Sequence, residues 1–325
     1  MDAKKPFIFE LLLIIAGLCF GYIPIISALM RDNSASSIEQ VLIRAVISAL
    51  FGMIVIITVF KKRRREIINC LSSKVQISYI IQAFILNAMI IVYVIAISIK
   101  TPAGEAALLV QVHPIFTLLI SYLWLKESLN REKIISLGLA MIGIFILLRP
   151  WALDTFFSHF IGDILSISNG LFYSFYIIIG RKARTERAHI SPMVSISWVL
   201  IWVLIIYIPL LVFLSLLPLP KEIITFSPAI YFNFNIFVLG ILLGLFGSVL
   251  PYSLIMISSR HVESSKSAIL LLGEPLGAII FGFLILNETI LFEYILGGFV
   301  LIAAIIIITN YSGTKITEPK VSSQT

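Results

Sequence analysis

Runs of about twenty mostly apolar residues recur ten times along this chain, at roughly 7–30, 38–60, 77–98, 102–125, 133–149, 161–180, 191–217, 234–257, 264–286 and 290–310. Wound as an α-helix, a run of that length matches a hydrocarbon core about 30 Å thick, where a helix satisfies every backbone hydrogen bond within itself. The pattern predicts an all-α integral membrane protein with ten transmembrane helices. Composition agrees, because only 13% of the residues are charged, about half the share found in soluble domains. The connections are short except at 61–76 and 218–233, which leaves no room for a separate soluble domain. The first run is too long for a cleaved signal peptide and reads as retained.

Basic residues set the expected orientation. Of the 24 Lys and Arg, nineteen fall in the N-terminal tail and in alternate connections from there on, among them Lys61 to Arg65, Lys126, Arg181 and Lys182. Four fall on the other side (Arg31, Lys100, Arg149 and Lys221), and Arg44 stands alone inside a span. This bias predicts a multi-pass protein of the cytoplasmic membrane with both termini, 1–6 and 311–325, in the cytoplasm. It also accounts for the net charge of +7 without nucleic acid as a partner. Cys19 and Cys70 have no metal-ligand spacing.

A second regularity is a repeat. The stretch AALLVQVHPIFTLLISYLWLKE around His113-Pro114 returns 161 residues later around Glu274-Pro275, with Asn87 over Ser248, Glu127 over Glu288 and Glu132 over Glu293. At an offset of 153, Glu10 lies over Asp163, Gly17 over Gly170 and Phe20 over Tyr173. Each copy holds five spans, an odd number, so the second enters the membrane from the opposite side. Inverted repeats of this kind place a substrate site near the bilayer midplane.

The candidate site follows from what is polar inside the spans. Glu274 and His113 occupy equivalent repeat positions, so a pseudo-two-fold axis is expected to bring both to one central cavity. Desolvation disfavours an ionised carboxylate and histidine titrates near neutrality, so either can carry a coupling proton. Each can equally donate to the carbonyl that Pro114 or Pro275, the expected helix-kink residues, leaves without its partner. Gln111 and Glu105 share a face of the fourth span; Glu105 also suits a helix start, and Gln111 an interhelical hydrogen bond. Asn87, Tyr93, Asn169, Tyr173, Tyr176, Trp198, Trp202, Tyr252 and Ser253 complete the set, some as cavity lining and some as interhelical glue or interfacial anchors. Glu10, Asp163, Glu127 and Glu288 lie at span ends and read as structural.

Taken together, the residues resemble the EamA-type branch of the drug/metabolite transporter superfamily. The resemblance rests on two five-span units at 7–150 and 161–310, each with a proline in its fourth helix. Each then has a Leu-x-Glu turn (Leu125-Lys126-Glu127 and Leu286-Asn287-Glu288) and a glycine-bearing last helix (Gly138 and Gly143; Gly297 and Gly298). The second copy reads Gly273-Glu274-Pro275 where the family commonly has Leu-Glu-Pro, and His113 departs from the apolar residue usual in the first. The resemblance implies a secondary transporter, often an exporter of amino acids or other small metabolites, with a cavity between its halves. No nucleotide-binding loop, His-Glu-x-x-His pair or Gly-x-Ser-x-Gly elbow is present in the sequence, so ATP-driven pumping, enzymatic hydrolysis, and any cofactor or metal lack support. Two rivals remain. One is an importer or exchanger of a larger metabolite such as a nucleotide derivative, which needs several arginines in the cavity; the other is a membrane enzyme or receptor-like scaffold.

Overall fold

The computed structural model describes residues 4–99, 103–152, 159–187, 189–218, 221 and 223–310, and among these there is no strand. The helices are α1 (Lys4–Phe20), α2 (Tyr22–Asp32), α3 (Ser37–Lys62), α4 (Arg64–Cys70), α5 (Ser73–Ser98), α6 (Ala103–Val110), α7 (His113–Ile120) and α8 (Arg131–Leu148). The second part of the chain adds α9 (Phe160–Glu186), α10 (Pro192–Ser215), α11 (Phe234–Gly244), α12 (Leu250–Ser258), α13 (Ser264–Leu271), α14 (Gly273–Leu286) and α15 (Phe292–Asn310). Among the described residues, eight helical stretches are long and apolar enough to cross a membrane by length and composition. The other two expected spans fall short for local reasons. Residues 103–125 are divided between α6, α7 and a π-turn at Ser121–Leu125, and α8 carries Arg131, Glu132 and Lys133 in its first turn.

Helix ends follow local chemistry. Ser36 and Glu39 form a reciprocal capping box at the start of α3, satisfying N–H groups that a helix cannot satisfy internally. Pro114 and Pro275 stand in the first turns of α7 and α14, where proline is tolerated, and each divides a longer apolar stretch in two.

The packing repeats itself between the two parts of the chain. Helix α1 packs on α12, α13 and α14, as α9 packs on α5, α6 and α7; α3 pairs with α10, and α8 with α15. The carbonyls freed by the two prolines are placed alike. A Cβ on Gly17 would come within 2.8 Å of Leu271 O, and one on Gly170 within 2.8 Å of Val110 O, each four residues before its proline. Glycine lets the neighbouring helix approach the freed carbonyl that closely. The next turn is tighter on one side: a Cβ on Gly21 would overlap the backbone from Glu274 to Ala278, whereas Ser174 at the matching position donates to His113 O at 2.8 Å. Gly21→Val is therefore expected to cost about 2–3 kcal/mol in overpacking, read as loss of monodisperse protein and a lower melting temperature, while Gly138→Ala, where a Cβ meets nothing within 4 Å, leaves both unchanged.

The main apolar core, from Leu13 and Ala16 through Tyr79, Ala83, Tyr176, Val199 and Met256 to Leu270, fills the half of the molecule toward Glu10. Ion pairs close that end. Lys266 Nζ meets Glu10 at 2.7 Å, Lys133 meets Glu263, Arg181 meets Glu127 at 3.1 Å, and Phe9 stacks on His261 at 3.8 Å between ring centroids. The opposite half holds a cavity.

Candidate functional site

A cavity of about 460 Å³ runs from Tyr252 and Glu274 to Arg31 and Ser37, at the end of the molecule away from Glu10. Six helical stretches place its polar groups. Ser27 and Arg31 come from α2, Ser37, Gln40 and Arg44 from α3, Tyr93 from α5, Asn169 and Tyr173 from α9, Tyr252 from α12, and Glu274 from α14; Gln111 enters from the break between α6 and α7. Apolar side chains such as Phe20, Ile23, Leu86 and Met89 form the rest of the wall. A few placed polar groups in an apolar, aromatic wall are what a small-molecule site needs.

Opposite charges meet at the inner end. Glu274 lies beside the Gln111 side chain and within electrostatic reach of Arg44. The guanidinium of Arg44 is held in turn: Nη2 donates to Gly247 O at 2.8 Å and Nε to Ser248 Oγ. Gly247 and Ser248 lie in a π-turn at Leu245–Val249, where the widened backbone leaves carbonyls free to accept. The floor is aromatic, with Phe20 edge-on to Tyr252 at 5.1 Å and Tyr252 edge-on to Tyr176 at 5.3 Å. Gln111 Oε1, Asn169 Oδ1 and Tyr173 Oη have no hydrogen-bond partner among the described residues. A carboxylate and a guanidinium on one cavity can together hold an amphoteric solute, because each charged end of such a solute meets an opposite charge.

The sequence candidates divide between this cavity and the surrounding packing. Glu274, Gln111, Tyr93, Asn169, Tyr173 and Tyr252 line the cavity. His113 does not: it is fully buried against Tyr173, with 4.4 Å between ring centroids, and neither ring nitrogen has a partner among the described residues. The residue at the matching repeat position, Glu274, does line the cavity. Asn87 is turned away and donates to Ala83 O at 3.0 Å and Val203 O at 3.2 Å, as interhelical glue. Trp202 donates to Gln76 Oε1 at 2.7 Å, Trp198 packs between two apolar clusters, and Tyr176 and Ser253 are buried behind the wall. The side chain of Glu105 lies outside the described residues. Pro114 and Pro275 divide helices and do not touch the cavity.

Arg44, Gln40, Ser27 and Arg31 are cavity residues that were not among the sequence candidates. Arg44 had a usable signal, since a lone basic residue inside a span is functional by default. Gln40 had none, because its role depends on the 13-residue return of the chain that sets it against Ser27.

Comparison with known proteins places these features. Two stretches, residues 7–149 and 160–310, match the EamA-like transporter family. An uncharacterized transporter of Archaeoglobus fulgidus is 27% identical over 219 residues, covering 66% of this chain and 70% of that one. A second uncharacterized transporter of the same organism is 24% identical over 210 residues, covering 64% and 68%. One crystal structure of a protein superposes with a TM-score of 0.72 at 12% identity, over 92% of this chain and 95% of the other, which establishes a shared fold.

Proposed function

Since the chain belongs to the EamA-like transporter family, and is thereby a multi-pass membrane transporter of small molecules, we propose that it is a ten-helix inverted-repeat secondary transporter that works by alternating access, its cavity opening to one side of the membrane at a time, and exports zwitterionic metabolites, amino acids foremost, in exchange for protons. The observation that carries this reading is the cavity in which Arg44 and Glu274 face one solute-sized space. A substrate carboxylate lies against Arg44, where two hydrogen bonds hold the guanidinium in place, and the ammonium lies against Glu274. Coupling follows from competition. One carboxylate takes either a proton or the substrate ammonium, so loading one releases the other, and the gradient of the first drives the second. The matched packing of α1 with α12 to α14 and of α9 with α5 to α7 supports two repeats of opposite topology. The helix ends also support the ten-span reading, since α8 runs the length of α15 although its first turn is charged.

Cavity opening toward Arg31 and closure toward Glu10 make this the state open to the outside, if basic loops lie in the cytoplasm. Single cysteines introduced at 61–72 or 181–187, on a background lacking Cys19 and Cys70, are expected to stay unlabelled by impermeant thiol reagents in intact cells. Labelling from outside would reverse the orientation and with it the direction of transport.

A second reading has one observation in its favour. Arg31 joins Arg44 along the same wall, and two arginines in a cavity of this size suit a phosphorylated metabolite such as a nucleotide derivative. Exchange in proteoliposomes separates the two, because competition by a nucleoside monophosphate, and none by amino acids, selects the second.

A further inference from the structure

The two Leu-x-Glu turns share a backbone and differ in what their glutamates hold. Lys126 and Asn287 both adopt the left-handed conformation, with φ of 56° and 55°. The N–H groups of Glu127 and Glu288 donate at 3.2 Å to the carbonyls six residues earlier, Ser121 O and Gly282 O. The side chains diverge. Glu127 is buried, and its carboxylate accepts from Ser264 N at 2.7 Å, Ser265 N at 3.0 Å and Ser265 Oγ at 2.8 Å, with Arg181 at 3.1 Å. Burial pushes the Glu127 carboxyl up, but Arg181 and the three serine donors outweigh it and hold it below the ordinary carboxylate value, so it is ionised at neutral pH. Glu288 is exposed.

The partner of Glu127 is the start of α13, the helix that leads into the Glu274-Pro275 break. That helix is not capped from its own side, since Glu263 at the N-cap makes no side-chain capping bond. Its first N–H groups are satisfied instead by a residue 137 positions away, on the turn between α7 and α8. A contact of this kind ties the two parts of the chain together at the closed end, beside the Lys266–Glu10 and Lys133–Glu263 pairs. The repeat register of 161 sets residues 103 and 104, the start of α6, in the place that 264 and 265 hold for Glu127. Helix α6 leads into the His113-Pro114 break as α13 leads into Glu274-Pro275.

We propose that Glu127 and Glu288 form a reciprocal latch: Glu127, seated on the N-terminus of α13, holds the Glu10 end shut, and Glu288 seats on the N-terminus of α6 when that end opens and the other closes. The latch rests on the alternating-access reading above. It assigns a gating function to two glutamates that touch no substrate. Each carboxylate fills one helix N-terminus at a time, where orphan N–H groups and the helix dipole favour an anion.

Double electron–electron resonance on purified protein lacking Cys19 and Cys70 tests it, with labels at 131 and 260 for the Glu10 end and at 32 and 289 for the other. Glu127→Gln is expected to raise the population with a long 131–260 distance about tenfold, as loss of charge-assisted hydrogen bonds requires, with a matching rise in short 32–289 distances. Adding Glu288→Gln is expected to reverse most of that shift, which a merely structural glutamate would not do. Arg181→Gln weakens the same contact without touching the carboxylate and is expected to shift both distances in the same sense by less, should Glu127→Gln not fold. Unchanged populations in whichever of the two variants folds overturn the latch, and so does a double variant that behaves as Glu127→Gln alone. Opening of the 131–260 end without closure of the 32–289 end overturns the proposal through the alternating-access reading on which it depends, and marks that reading as the part that failed.

Discussion

Glu274→Gln protein in proteoliposomes is expected to exchange amino acids at saturating concentration yet accumulate none against a gradient when a pH difference is imposed. Glutamine keeps the size of the side chain and an oxygen beside Gln111, so the cavity keeps its shape. What is lost is the competition between a proton and an ammonium for one carboxylate. The alternative role for Glu274, donation to the carbonyl freed by Pro275, finds no support in the packing, because that carbonyl, Leu271 O, lies against Gly17. Uphill transport that survives in Glu274→Gln would move the coupling elsewhere. His113 would be the first place to look, although it is sealed from the cavity in this state.

Arg44→Gln is expected to raise the half-saturating substrate concentration by roughly 10- to 100-fold, the loss of a charged hydrogen-bonding partner being worth about 1.5–3 kcal/mol. The variant should still fold. The native guanidinium is bound to Ser248 and Gly247 at the inner end of the cavity, and glutamine can make one of those bonds. Substrates lacking a carboxylate should be affected far less, and that difference separates loss of a specific contact from general damage to the site. Equal losses for substrates with and without a carboxylate would assign Arg44 to holding the Leu245–Val249 turn.

Much of this could be read from the residues. Apolar runs of membrane length and their basic flanks are set by the solvent, so the all-helical membrane class required no knowledge of packing. The proline positions and the glycines at 17 and 170 were visible as repeat matches, and they turn out to sit on the freed carbonyls. Which polar residue faces the cavity was not readable. A helix apolar on every side gives no stripe to say which face looks inward, so Asn87 and Trp202 could not be told from Tyr93 and Asn169 until their partners on other helices were in place. His113 was misplaced for another reason. Sequence equivalence treats the two halves as identical, whereas the packing covers His113 with Tyr173 and leaves Glu274 on the cavity. The Glu10–Lys266 pair joins residues 256 positions apart, and nothing local in either segment announces it.

The central claim is that a solute carrying both charges binds between Arg44 and Glu274 and is carried across. The most direct measurement is counterflow into proteoliposomes preloaded with unlabelled amino acids, following uptake of a radiolabelled amino-acid mixture, with competition by N-acetyl amino acids and by amino-acid amides. Saturable uptake for which both blocked analogues compete far more weakly than the zwitterion, and that Arg44→Gln abolishes at low substrate concentration, is the predicted result. Absence of amino-acid counterflow from protein that does exchange a nucleoside monophosphate, or uptake that the singly charged analogues compete for as well as the zwitterion does, would contradict it.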